Sequence, residues 1–305
     1  MGAVARVRSQ TIELEAVAEG DAAAPVVLLI RGLGTQLSQW PESLVGGLLD
    51  RGLRVLRFDN RDAGLSDKLD TGTPYTVADM AADAVAVLDH FEVERGHGVG
   101  ISLGGIVVQH LAASHAGRIA SAISVMSTSG APGLPPPSQG ALDALYATPQ
   151  DPHDRECVIR HAMKSQQVFQ GSRFQRSEEQ LRRYCETAFD RCHHPEGVAR
   201  QLQAVIADGS RAELLASIRI PFHVIHGSGD PLIPLACGAD TAERVPGARL
   251  EVIEGLGHDV TPASGPVLAE AIARFIAQTE ERPKNGDVVE RSTFSRWRTA
   301  PLAES

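Results

Sequence analysis

Short apolar runs rich in β-branched residues recur along this chain, at 26–30, 53–58, 96–101, 119–126, 220–226 and 250–253. Each is bounded by Gly, Asp or Pro, and helical spacing follows. A strand apolar at nearly every position is one buried on both faces, so these runs predict a mostly parallel central sheet flanked by helices, an α/β fold. The stretch 76–91 sets Val77, Met80, Ala81, Ala84, Val85 and Leu88 at three- and four-residue spacing. That is one helical face turned to the sheet. The stretches 106–114 and 263–280 repeat the pattern, the latter as a closing helix. Residues 11–18 alternate apolar with polar, which predicts an antiparallel strand at the sheet's edge.

The rhythm breaks at Gly130. The run Ala131-Pro132-Gly133-Leu134-Pro135-Pro136-Pro137 ends it, and helix-prone sequence fills the space until strand character resumes at 218. Residues 131–217 are therefore expected to form a helical cap inserted into a core made of 1–130 and 218–281. Within it Val168, Phe169, Phe174, Leu181, Tyr184 and Phe189 concentrate much of the chain's sparse aromatic content, as cap core or as substrate contacts. Beyond, 282–305 is polar and aperiodic and reads as a flexible tail.

Composition narrows the partners. With 305 residues and 43% hydrophobic positions the chain can bury one sizeable core. A formal net charge of −9 speaks against nucleic acid or an anionic membrane surface, both of which call for clustered cations. A small-molecule substrate fits better. No apolar run is long enough to span a membrane, and the first residues lack the apolar stretch of a signal peptide. The four cysteines, Cys157, Cys185, Cys192 and Cys237, form no C-x-x-C pair and read as reduced thiols of a cytoplasmic protein. His193 and His194 beside Cys192 lack a second ligand cluster at zinc spacing, so no metal is expected, and no cofactor either.

The chemistry is carried by three short segments. Gly100-Ile101-Ser102-Leu103-Gly104 matches G-x-S-x-G between an apolar run and a helix, the setting of a nucleophile elbow. There the turn aims Ser102 away from the sheet, while Gly100 and Gly104 let strand and helix approach. A serine hydroxyl needs a base, and the base needs a group that fixes its tautomer. Asp230, in Gly227-Ser228-Gly229-Asp230-Pro231, and His258, in Gly255-Leu256-Gly257-His258-Asp259, each stand just past a predicted strand. Three strands thus deliver serine, acid and base to one rim, in the order Ser, Asp, His expected of this elbow. Asp259 is a weaker candidate acid, since a neighbouring residue reaches the far ring nitrogen poorly. For a developing oxyanion the backbone N–H groups of Leu103 and Leu33 are the expected donors, with Gly32 making room. Arg31 either structures that loop or touches substrate.

Taken together these residues resemble the α/β-hydrolase superfamily over nearly the whole chain except the cap and tail. The stretch Arg57-Phe58-Asp59-Asn60-Arg61-Asp62-Ala63-Gly64-Leu65-Ser66 resembles the fold's D-x-R-G-x-G-x-S turn, with Asp62 in place of the first glycine. That variant, with the helix Ala81-Ala82-Asp83-Ala84-Val85-Ala86-Val87-Leu88-Asp89, is similar to the branch of aclacinomycin methylesterase and serine-dependent macrolide esterases. The resemblance implies hydrolysis of an ester within a bulky polyketide, or of a macrolactone, which would inactivate an antibiotic. Arg31 departs from the common H-G motif. A general small-acyl carboxylesterase or a carbon–carbon hydrolase would use the same serine, acid and base. A non-catalytic ligand-binding protein of this fold is a more distant alternative.

Overall fold

The computed structural model describes residues 2–70 and 72–281; the tail expected at 282–305 lies outside them. In chain order come β1 (Ala3–Ser9), β2 (Ile12–Glu19), β3 (Val26–Ile30), α1 (Glu42–Leu49), β4 (Arg54–Phe58), α2 (Val77–His90), β5 (Gly96–Ile101), α3 (Leu103–Ser114) and β6 (Ile119–Val125). Five helices follow, α4 (Gln139–Tyr146), α5 (Arg155–Phe169), α6 (Glu178–Arg191), α7 (Pro195–Asp208) and α8 (Ala212–Ser217). The chain then returns to the sheet with β7 (Phe222–Gly227), α9 (Leu235–Arg244), β8 (Arg249–Ile253) and α10 (Gly265–Glu280).

The strands form one sheet in the order β1-β2-β4-β3-β5-β6-β7-β8, parallel from β4 to β8 and antiparallel at β1–β2 and β2–β4. The α/β fold predicted from the apolar runs is the observed one. The strand expected at the edge, β2, is instead second from it: β1 pairs along its full length, Ala3 opposite Ala18 through Ser9 opposite Ile12. Alternation in β2 reflects one solvated face, which an inner strand near a sheet margin can also have.

Side-chain alternation divides the core. In β3, Val26, Leu28 and Ile30 enter a cluster with Met80, Leu88, Val107 and Leu111 of α2 and α3. Val27 and Leu29 enter another with Leu44 and Leu48 of α1 and Ile272 and Ile276 of α10. Helix α2 begins where the Thr76 Oγ1 accepts from the Asp79 N–H at 3.1 Å while the Asp79 carboxylate accepts from the Thr76 N–H at 2.8 Å, a reciprocal cap. Parallel register brings the ends of β3, β5, β7 and β8 to the same rim of the sheet, with Ile30 opposite Gly100 and Gly227 opposite Ile253. Among the described residues no helix is long and apolar enough to cross a membrane.

Candidate active site

Ser102 joins β5 to α3 with φ +56° and ψ −116°, a region that non-glycine residues occupy only at a cost of about 1–3 kcal/mol. The strain is held by the surroundings. The Ser102 N–H donates to the Val125 carbonyl at 2.9 Å, and the Ser127 hydroxyl donates to the Ser102 carbonyl at 2.8 Å. The two glycines of the pentapeptide are required by space: a Cβ on Gly100 would lie 1.9 Å from the Gly104 carbonyl oxygen, and one on Gly104 would lie 2.1 Å from that of Ile30. Only hydrogen at these positions lets helix α3 start so close to the sheet.

Asp230 follows β7 and is buried. Its Oδ1 accepts from the N–H groups of Leu232 at 2.9 Å and Ile233 at 2.8 Å, leaving Oδ2 to face His258 Nδ1 at 2.7 Å. With Nδ1 committed as donor to the carboxylate, Nε2 is the free, basic nitrogen. His226 stands 3.7 Å from the same carboxylate, but its Nε2 donates to the Ile233 carbonyl at 2.8 Å. Burial pushes its imidazole below the usual range, toward the neutral form. Asp259 does not compete for His258: its carboxylate accepts from Arg176 Nη1 at 3.0 Å.

Ser102 and His258 line one cavity of about 440 Å³, walled largely by apolar side chains such as Leu33, Ile106, Leu142, Phe169 and Leu232. Ser102 Oγ donates no hydrogen bond to His258 among the described residues; such contacts commonly tighten only when substrate is bound. Leu33 lines the same cavity as Ser102, and Leu103 follows Ser102 directly in the chain. Leu103 is the first residue of α3, so its N–H has no partner within the helix. Gly32 brings the loop after β3 against the serine, and a Cβ there would sit 3.2 Å from that of Ser102. A larger hollow of about 650 Å³ lies beyond Tyr184, lined by Trp40, Arg176 and Arg183 and holding none of the predicted site residues.

Several supporting residues left little trace in the sequence pattern. Asn60 Nδ2 donates to the Arg31 carbonyl at 3.1 Å. Gln201 of α7 accepts from the Gly34 N–H at 2.8 Å and donates to the Arg61 carbonyl at 2.9 Å, pinning the loop from 167 positions away. Arg31 is buried over the Trp40 ring at 4.9 Å, and donates to Thr35 Oγ1 and to the Tyr184 hydroxyl, each at 3.3 Å. It both structures the loop and lines the cavity. Asp62 takes φ +65°, the conformation glycine adopts freely, and its carboxylate receives a bidentate pair from Arg200 at 2.8 Å on both oxygens. His193 stacks on Phe189 at 4.9 Å and His194 contacts Arg200 and Glu196. Among the described residues no three or more His, Cys, Asp or Glu side chains converge as metal ligands.

The chain matches the family described as alpha/beta hydrolase fold over residues 25–261. It is 30% identical to rhodomycin D methylesterase of Streptomyces peucetius over 272 residues, 83% of this chain and 91% of that one. A rhodomycin D methylesterase from another Streptomyces strain is 31% identical with the same coverage. Among solved structures, a hydrolase from Pseudomonas aeruginosa superposes with a TM-score of 0.70 at 26% identity, covering 92% of this chain and 98% of that one. The chain belongs to the α/β-hydrolase family, and it is a hydrolase.

Proposed function

We propose that this protein is a serine carboxylic-ester hydrolase in which Ser102 is the nucleophile, His258 the general base and Asp230 the acid that orients it. The observation that carries the reading is the 2.7 Å contact between Asp230 Oδ2 and His258 Nδ1 at the wall of the cavity that holds Ser102. In the first half-reaction His258 Nε2 takes the Ser102 proton as Oγ attacks the ester carbonyl. The oxyanion is received by the Leu33 and Leu103 N–H groups, each worth about 3–4 kcal/mol in such a role. His258 then returns the proton to the departing alcohol. Water deprotonated by the same nitrogen attacks the acyl-enzyme and releases the acid.

The substrate we propose is a bulky polyketide ester or a macrolide lactone, whose opening would inactivate an antibiotic. Residues 131–217 would act as a cap over it, in a cytoplasmic protein that needs no cofactor. Similarity to the rhodomycin D methylesterases supports the polyketide class. So do the apolar walls of the cavity, which suit a weakly polar ligand. The test is mass spectrometry of macrolides of several ring sizes, rhodomycin D and p-nitrophenyl esters, each incubated with wild-type protein and with Ser102→Ala. Gain of one water on a macrolide, or conversion of the methyl ester of rhodomycin D to its acid with a net loss of CH2, only with the wild type, is the expected result. Cleavage of simple esters alone would keep the esterase and remove the polyketide substrate.

A further inference from the structure

Behind His258 lies a buried pair that the reaction above does not use. Arg176, in the turn between α5 and α6, and Asp259 have side chains only 2% and 4% exposed. Arg176 Nη1 donates to Asp259 Oδ2 at 3.0 Å, Nη2 donates to the Val260 carbonyl at 2.8 Å, and the guanidinium lies 4.2 Å over the Tyr184 ring. The same stretch of chain runs along the histidine loop: the His258 N–H donates to the Phe169 carbonyl at 2.7 Å, and the Arg173 N–H to that of Gly255 at 3.2 Å. A Cβ on Gly257 would strike the Gly171 nitrogen at 2.2 Å. The loop that carries His258 is thus built as much by residues 169–176 as by its own strand.

We propose that Arg176 and Asp259 form a positioning unit for His258, fixing the loop it stands on and setting the charge that its imidazole faces. The inference rests on the reading of His258 as the base. The titratable and charged groups around His258 are Asp230 and His226 from the β7 side, Asp259 from its own loop, and Arg31 and Arg176 beyond Asp259. Burial pushes the Asp259 carboxyl up and the two guanidiniums draw it back, with Arg176 at ion-pair distance. An ionised Asp259 beside His258 favours imidazolium, and Arg176 offsets it. Removing one partner leaves the buried charge of the other less compensated beside the base, with opposite sign in the two cases.

The test follows the His258 imidazole directly, by pH titration of protein carrying 15N-labelled histidine, with the resonance assigned by its loss in His258→Gln. Arg176→Met should raise the His258 midpoint and Asp259→Asn should lower it, each by about half a pH unit or more, and the double variant should return close to the wild type. Arg176→Lys, which keeps the charge, should leave the midpoint in place. Midpoints moving the same way in both single variants, or not moving, would overturn the proposal. If Arg176→Met does not fold, the downward movement in Asp259→Asn, which changes the side chain little in volume, decides. The pH profile of Ser102 labelling by a fluorophosphonate is the functional readout: its acid limb should follow the midpoints. If wild-type Ser102 is not labelled at all, the serine-hydrolase reading fails, and the midpoints still decide whether the pair sets the charge at His258.

Discussion

The sheet and the helices α4–α7 between β6 and β7 are held by different physics. Strands β3, β5 and β7 are buried at every position, and their aliphatic side chains merge with α1, α2, α3 and α10 into two broad clusters. The intervening helices bury two small apolar groups of their own, Ile159, Leu181 and Cys185 in one and Ala141 and Phe169 with Leu232 in the other, while Ala204 of α7 and Phe174 between α5 and α6 reach the two sheet clusters. Beyond those few apolar contacts this region is tied to the sheet by arginines: Arg176 to Asp259 at 3.0 Å, Arg191 to Asp59 at 2.7 Å and Arg200 to Asp62 at 2.8 Å. Non-directional burial makes a rigid platform. Directional ion pairs hold the helices between β6 and β7 to it at a few points, each sensitive to the loss of one partner.

That contrast also explains what could be read from the chain alone. Strands β3 to β7 were legible because burial leaves short, mostly apolar runs, and Ser102 and Asp230 each follow such a run within a few residues; His258 follows the apolar positions of β8, an edge strand in which Ile253 alone is buried. Strand β1 was hidden: Val4 is 65% exposed, and the segment alternates small apolar residues with arginines, so little of it marks a core. Helix α1 was obscured by Gly46 and Gly47 within Glu42–Leu49. The contacts of Gln201, Arg176, Arg191 and Arg200 have no local signal, since an arginine reads as a solvated charge until its carboxylate arrives from far along the chain. Asp62 was noticed as an unusual residue in a turn, but its reason, a left-handed conformation combined with a bidentate arginine, needed three dimensions.

The comparison can be broken most severely on the sheet side. Phe58→Ala, at a fully buried position, should lower unfolding free energy by about 3–5 kcal/mol in a denaturant melt monitored by circular dichroism. A loss below about 1 kcal/mol would mean that the platform is less tightly packed than described. Next in size, Arg200→Met leaves the buried Asp62 carboxylate unpaired and should cost about 1–3 kcal/mol. Its signature is local: limited proteolysis should cut between α4 and α7 faster, with fragments from the sheet unchanged.

Acid should separate the two regions as well. Burial alone would raise the Asp62 carboxyl, but the Arg200 bonds and the Leu69 N–H outweigh it and hold it below the usual carboxylate range. A depressed carboxylate gives stability that is complete above its unfolded value, about 3.9, and is lost as pH falls toward its folded one. Hydrogen exchange should therefore show protection in α7 fading below about pH 4 ahead of that in β3 and β5. Uniform loss would contradict the ionic attachment. The smallest effect concerns the Asp62 backbone: at φ +65°, Asp62→Ala should be about 1 kcal/mol less stable than Asp62→Gly, both lacking the Arg200 pair. Equal melting temperatures would remove the strain argument.

The measurement closest to the centre of the account is intact-mass analysis after treatment with a fluorophosphonate, followed by peptide mapping. The account expects one adduct, on Ser102, formed at a rate that falls at least about a thousandfold in His258→Gln and absent in Ser102→Ala. Labelling elsewhere, or of Ser102 at an undiminished rate without His258, would contradict a nucleophile activated by that histidine.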